Sequence, residues 1–452
     1  MASWLVIVTI FLPWLGGLVV WAARDSRPRL QHGLASGFAL ASAAAALALL
    51  PLATDEVVLS IAMGGVFGDF TLTPNGFGVL LAVIATVVGS LAVLFSIDYM
   101  HGEAQLGRYY SLVLLFIGAM AGLVLSASLL FMFFFWEITA FCSYALISFH
   151  NDDPKAVAGG IKALIMTQVG GAGLLAGALI TLSYLDSYQI DVFLAGAASI
   201  PPTALSLTAF GFLAAAIAKS AQVPLHTWLP DAMEAPTPVT ALIHAATMVN
   251  AGVYLLARFY PALAPVPGWK TAVMIAGLLS ALLAAVMAIT ATDLKRALAY
   301  STISQLGYMF YAVGAGAIFA SQFHLFSHAL FKGLLFLSAG AVIHAVGTRD
   351  MRRMGALGKQ MPFVRLVFII GALALAGIPL TTGFFSKELL LEEGLNLGPT
   401  WAFALMVIGA GLTALYATRM VAMVFYGPGG EARAAHDAGR AMRVSLALLA
   451  LG

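Results

Sequence analysis

Eight ionisable residues of this chain stand in stretches that are otherwise apolar: Glu137, Lys219, His244, His324, His328, Lys332, Lys387 and Glu388. A charge at the centre of a bilayer costs at least ~2.5–3.5 kcal/mol on insertion scales, so such residues point to ion paths or proton relays. Glu137 lies in FMFFFWEITAFCSYALISF, with aromatic residues on both sides. Packing alone does not explain a carboxyl there. Lys219 closes ALSLTAFGFLAAAIAK, and Pro224 and Pro230 follow, so the helix cannot continue regularly. The chain stays mostly apolar from Lys219 through Trp228. That pattern reads as a helix broken inside the membrane, as transporters use at ion sites. The other reading is a lysine snorkelling to the interface.

His324, His328 and Lys332 in HLFSHALFKG are spaced i, i+4, i+8, which places them on one helix face. Two histidines at that spacing can bind metal. Here no acid completes an HExxH motif, no third ligand is evident and Lys332 would repel a cation, so no metal site is expected. A file of groups that exchange protons fits better. His244 stands in TALIHAATMVNAG (240–252) with no other titratable residue. Its imidazole can take and release a proton near neutral pH. Lys387 and Glu388 lie in LALAGIPLTTGFFSKELLLEEG, where Pro379 and Gly383 again interrupt an apolar stretch. An ordinary ion pair at the outer interface is the alternative for these two.

These groups need a scaffold, and the composition states its class. Of 452 residues, 61% are hydrophobic and 9% charged. Soluble domains carry about 25% charge, so this chain could not cover a surface with polar groups. Apolar runs of 18 or more residues recur, which predicts an all-α polytopic membrane protein of about fourteen helices. The spans are expected at 3–22, 32–52, 76–97, 110–128, 129–149, 158–184, 204–222, 238–258, 270–291, 297–317, 319–346, 363–380, 400–426 and from 442 onward. The alternating ten-residue segments of a β-barrel are missing. The net charge of +2 gives no hint of nucleic acid, and the single cysteine, Cys142, excludes an internal disulfide. The first run has no basic region before it and reads as a retained span, not a signal peptide. The last run, MRVSLALLALG, covers less than half a membrane, so a further C-terminal part is expected.

Basic residues set the orientation. Arg24, Arg27, Arg29, Arg108, Lys155, Lys295, Arg296, Arg349, Arg352, Arg353, Lys359, Arg433 and Arg440 fall in odd-numbered connections. Connections 53–75 and 185–203 have none, and Arg258, Lys270 and Lys387 are the exceptions. The expected placement is a multi-pass protein of a bacterial or archaeal inner (plasma) membrane with its N-terminus outside. The connections leave no room for a nucleotide site, and no Gly-rich phosphate loop follows a strand.

AKSAQVPLHTWLPDAMEAPTPVTALIHAATMVNAGVYLLAR (218–258) and DLKRALAYSTISQLGYMF (293–310) resemble the antiporter-like large subunits of respiratory complex I. HALFKGLLFLSAGAVIHAVGTRDMRRMGAL (328–357) and GIPLTTGFFSKELLL (377–391) belong to the same pattern. The likeness runs from about residue 76 to 426 and is strongest to the distal, L-type subunit. The wider family includes large subunits of multi-subunit sodium/proton antiporters and of membrane-bound hydrogenases. The resemblance implies two inverted five-helix repeats with the seventh and twelfth spans discontinuous. It divides the chain into helices 1–3 (1–109), a first repeat (110–258), a second repeat (259–426) and a connection leading to a further helix (427–452).

The resemblance also implies roles. Glu137 is similar to the carboxylate of the fifth span, Lys219 to the pumping lysine of the seventh and His244 to the connecting residue of the eighth. His324, His328 and Lys332 match the central relay, and Lys387 with Glu388 the outer lysine–acid site. Two features mix the branches. Distal complex I subunits carry an Asn-Arg-x-Gly-Asp run where this chain reads MTQVGGAG (166–173), a glycine-rich version closer to the antiporters. The antiporter subunits tend to carry a lysine where this chain has Asn250. The implied function is proton translocation through a buried Glu/Lys/His chain in a redox-driven complex, with a cation (Na+)/proton antiporter subunit as the alternative. The chain itself would have no redox site and no cofactor. Its expected partners are the lipid bilayer, other membrane subunits, and protons or Na+, with no nucleic acid.

Overall fold

A computed structural model describes residues 1–23, 25–428 and 436–452. Arg24 and Arg433, two of the basic residues used for orientation, lie outside the described residues. The apolar runs fold as helices: α1 (Ala2–Ala22), α2 (Pro28–Leu49), α3 (Gly76–Tyr99), α4 (Leu106–Leu125), α5 (Leu129–Ile147), α6 (Pro154–Leu185), the short α7 (Ile190–Gly196) and α8 (Pro202–Lys219). A four-residue helix α9 (Trp228–Asp231) follows, then α10 (Thr237–Ala241) and α11 (Asn250–Leu263). The remainder are α12 (Trp269–Thr290), α13 (Leu294–Ala315), α14 (Ile318–Val346), α15 (Pro362–Ala376), α16 (Thr382–Leu397), α17 (Thr400–Val421) and α18 (Arg440–Ala450).

Among the described residues, eleven helices are long and apolar enough to cross a membrane. The expected fourteen differ from these at three places with distinct causes. Helix α13 has the length but carries a polar face from Lys295 to Gln305. The expected span 363–380 is the 15-residue α15, with a second short helix, α16, in the stretch expected as the following connection, and α18 has only 11 residues.

Both expected breaks are present. Helix α8 stops at Lys219, and the chain turns through Ala221 at φ +49° and the cis Val223–Pro224 bond before α9. Helix α15 stops at Ala376, turns through Gly377 at φ +79°, and restarts at Thr382, where the Thr381 hydroxyl accepts from the Phe384 amide. A third irregularity was not expected. The segment expected as one helix over 238–258 widens into a π-helical turn at Leu242–Ala246, then breaks at Thr247. The connection 53–75 forms a small antiparallel hairpin, β1 (Leu59–Ala62) on β2 (Asp69–Leu72), with Leu59 facing Leu72 and Ala62 facing Asp69.

The connections segregate by parity. Asp25 in the first connection accepts from the Gly107 amide beside the third, and Arg108 reaches the Ser148 carbonyl in the fifth. Asp231 in the seventh pairs with Arg296, and Arg349 in the eleventh pairs with Glu234 and Asp293. On the opposite end, the Thr73 amide donates to Leu125 and the Ile190 amide to Ala127. Each connection thus contacts those of its own parity, as alternating crossings require.

Small residues let the helices meet at backbone distance, the usual device where lipid gives no hydrophobic drive between helices. In α12 and α13, a Cβ on Gly307 would stand 2.6 Å from the Gly277 carbonyl oxygen, and one on Gly277 would stand 2.5 Å from that of Gly307. Overpacking typically costs ~1–3 kcal/mol. Gly307→Ala should therefore lower the melting temperature of the detergent-purified protein by several degrees. Gly411→Ala, whose Cβ would meet nothing within 4 Å, should melt like the parent.

Candidate functional site

The site is built along the interior of the bundle. Every residue from 237 to 257 is buried, so the segment bearing His244 runs through the centre. Helices α5, α8, α13, α14 and the α15–α16 break supply the other groups.

Lys219 is fully buried at the end of α8. Its Nζ donates to the Trp136 carbonyl at 2.7 Å and stands 4.8 Å from the Trp136 ring centroid. The broken end beside it is closed by neighbours: the Trp228 indole N–H donates to the Ala218 carbonyl at 3.0 Å, and the Ser220 hydroxyl donates to Val249 at 2.6 Å. Lys219 is thus inside the protein and does not reach to the interface. Glu137 follows Trp136 on α5. Both its carboxyl oxygens are buried, with the Gln168 side chain of α6 beside them. Lys219 is the opposite charge that acts on it. A Cβ on Gly171 of α6 would collide with its Oε1, so the glycine-rich MTQVGGAG run makes the seat of this carboxyl.

His244 occupies the π turn, 4.6 Å from the Phe336 ring centroid, and neither ring nitrogen has a hydrogen-bond partner among the described residues. The charges that act on it are Lys332 and Lys295. The Asn250 amide donates to the Ala245 carbonyl at 2.7 Å and the Thr247 hydroxyl to Leu242 at 2.8 Å, so side chains hold the carbonyls that the irregular turn frees.

The three groups on α14 are all fully buried on one face. His324 sits between the Ser386 hydroxyl at 3.0 Å and the Gln305 amide oxygen at 3.2 Å. His328 has no hydrogen-bond partner among the described residues and feels Lys332, His324 and His244. Lys332 donates to the Leu298 carbonyl at 3.3 Å and to the Ser301 hydroxyl. Lys387, also buried, donates to the Leu375 carbonyl at 2.7 Å and stands 5.7 Å from the Tyr308 ring centroid. Both broken helices thus place a lysine on a backbone carbonyl and beside an aromatic ring.

Seven of the eight residues singled out from sequence therefore belong to the interior, in two groups. Glu137 and Lys219 form one. His244, His328, His324, Lys332 and Lys387 form a continuous electrostatic file. Glu388 does not join them. Adjacent helical residues point apart, and Glu388 is exposed on α16 while Lys387 points inward. Sequence reading also missed a residue. The sequence places Lys295 in a connection, yet it is buried in α13 and donates to the Ala235 carbonyl at 2.7 Å. The signal was present: Asp293 is a helix cap, its carboxylate accepting from the Arg296 amide at 3.0 Å. A start at the cap puts Lys295 inside the helix.

Residues 126–413 match the family described as NADH:quinone oxidoreductase/Mrp antiporter, TM. Residues 61–110 match the one described as NADH-Ubiquinone oxidoreductase (complex I), chain 5 N-terminus. The Na(+)/H(+) antiporter subunit A1 of Staphylococcus haemolyticus (strain JCSC1435) is 39% identical over 413 residues, covering 85% of this chain and 51% of that protein. NADH-quinone oxidoreductase subunit L of Rhodobacter capsulatus is 39% identical over 441 residues, covering 89% of this chain and 62% of that protein. The chain thus spans between half and two thirds of the length of these relatives. Among solved structures, the Mrp complex from Dietzia sp. DQ12-45-1b superposes with TM-score 0.90 at 32% identity, over 100% of this chain and 49% of that one. The membrane-bound sulfane sulfur reductase, an archaeal respiratory membrane complex, superposes with TM-score 0.87 at 25% identity, over 99% and 92%.

Lys387 has a desolvated ammonium group whose hydrogen bond among the described residues is to the neutral Leu375 carbonyl. Such groups cost several kcal/mol to bury, and apolar replacement of similar volume is often neutral or stabilising. Lys387→Met should accordingly melt at or above the parent temperature, and a marked drop would make this lysine structural. Lys219→Met, which leaves the buried Glu137 carboxyl without its opposite charge, should melt below the parent.

Proposed function

The chain belongs to the NADH:quinone oxidoreductase/Mrp antiporter family of multi-pass membrane proteins, and on that premise we propose that it moves protons across the membrane through its buried Glu/Lys/His groups. The observation that carries the reading is the file of buried titratable side chains from His244 to Lys387, in which each group feels the next. A charge-neutral interior has no use for such a row.

The path has three parts. Glu137 and Lys219 form the first: when the carboxylate is close the ammonium is favoured, and when it withdraws or is neutralised the lysine releases its proton. His244 is the acceptor at the centre. His328, His324 and Lys332 pass the proton toward Lys387 at the second broken helix. Glu388 lies outside this row and serves it only from the exposed face of α16. The driving energy comes from other membrane subunits of the same complex. A helix broken beside a buried lysine in each of the stretches 110–258 and 259–426 supports reading these as two repeats of opposite orientation. The basic residues gathered at the odd-connection face support a cytoplasmic placement of that face and an N-terminus outside.

The complex is proposed to be redox-driven and of complex I type. The antiporter reading stands beside it on a specific observation, the TM-score of 0.90 to the Mrp complex. Dependence of transport on Na+ and identification of co-purifying subunits separate the two.

Lys219→Met and Lys387→Met in the assembled complex, reconstituted in vesicles, should each cut coupled proton translocation by about 10²-fold or more, the scale of a lost proton-transfer group. Translocation at the parental rate in both, with normal assembly, removes the path.

A further inference from the structure

One cluster of charged groups takes no part in the path described above. At the odd-connection face a cavity of about 490 Å³ is lined by Lys155, Glu234, Thr290, Asp293, Arg296 and Arg349, among others. Arg349 bridges two carboxylates there, Glu234 at 3.0 Å and Asp293 at 3.2 Å, and also donates to the Met233 carbonyl at 2.9 Å. Burial works against its charge, but the Glu234 hydrogen bond and the two carboxylates outweigh it and raise its pKa above the usual value. Immediately inward lies Lys295, 3% exposed, on the carbonyl of Ala235, the residue after Glu234. The charges acting on its ammonium are Arg349, Asp293 and Glu234. Lys295 in turn acts on His244. Cavity, carboxylates, buried lysine and central histidine thus stand in one sequence, and this sequence avoids Lys219.

We propose that Lys295 is a fourth lysine of the proton path, loaded from this cavity through Glu234 and Asp293, with Arg349 holding both carboxylates while the inlet is closed. The inference rests on the proton-translocation reading above. The step balances simply. A hydronium ion reaching the cavity from the aqueous phase gives its proton to a carboxylate that has left Arg349, leaving a water molecule behind. The carboxylic acid gives it to the neutral Lys295 amine, forming ammonium and restoring the carboxylate, which pairs with Arg349 again. Lys295 then passes the proton to His244. A cavity of this volume admits a small cluster of waters, since each takes ≈ 30 Å³ in the liquid. Arg349 is a positioning residue; Lys295 and the carboxylates carry the proton.

Two arms test this in the assembled complex in vesicles. First, Lys295→Met is compared with Lys219→Met. The expected result is a loss of about 10²-fold in translocation for Lys295→Met with normal assembly. Parental translocation in Lys295→Met beside a dead Lys219→Met overturns the present inference and leaves the path intact. Parental rates in both overturn the path itself. Second, Thr290→Cys places a thiol on the exposed cavity wall, where the one cysteine of these 452 residues, Cys142, is buried, and the parent complex treated alike is the control. A membrane-impermeant maleimide applied to the odd-connection face should slow translocation severalfold, and applied to the other face should do nothing. Complete labelling without slowing overturns the inlet, and this arm decides if Lys295→Met fails to assemble.

Discussion

Four lysines lie inside this bundle, and each ends on a backbone carbonyl: Lys219 on Trp136, Lys295 on Ala235, Lys332 on Leu298 and Lys387 on Leu375. No lipid-facing water can meet a buried ammonium, so the protein must supply the acceptors. A carboxylate at contact distance would fix the charge. A carbonyl is neutral and accepts from amine and ammonium alike, so it positions the nitrogen without deciding its proton. The breaks belong to the same logic. The Leu375 carbonyl would be taken by the amide four residues on, but that residue is Pro379, which has none. The helix end at Ala376 thus frees the oxygen that Lys387 uses. Ion pairs, by contrast, gather where water is near, as at Arg349 and Asp231.

Much of this was legible because membrane spans announce themselves. Long apolar runs have one solution in lipid, and the observed helices begin and end within a few residues of the expected ones. Pro224 and Pro379 marked the breaks because proline cannot extend a helix. What failed were questions of facing. Glu388 sits next to Lys387 in sequence but points to the exposed side, and a helical step of one residue is enough to separate them. Lys295 was mistaken for a loop residue because basic residues near span ends usually are. The deciding fact, its carbonyl partner on Ala235, comes from a segment sixty residues away.

The π turn at His244 left no mark in the sequence. TALIHAATMVNAG contains no proline, and its one glycine comes after the turn. Its geometry is fixed by side chains reaching back five residues, Thr247 to Leu242 and Asn250 to Ala245. Threonine and asparagine in an apolar helix read as neutral, and only their acceptors reveal the irregularity.

That turn changes how the segment is phased. A π turn holds one residue more than an α turn, and the backbone then breaks at Thr247, so the rows of side chains before and after run out of phase. The two halves of the central segment therefore present independent faces, one toward α14 and one toward α8. Removing a single residue between Leu242 and Ala246 would turn the half that precedes the break at Thr247 by about 100° and swing its contacts out of place. An insertion or deletion in this turn would thus be as consequential as a change of residue.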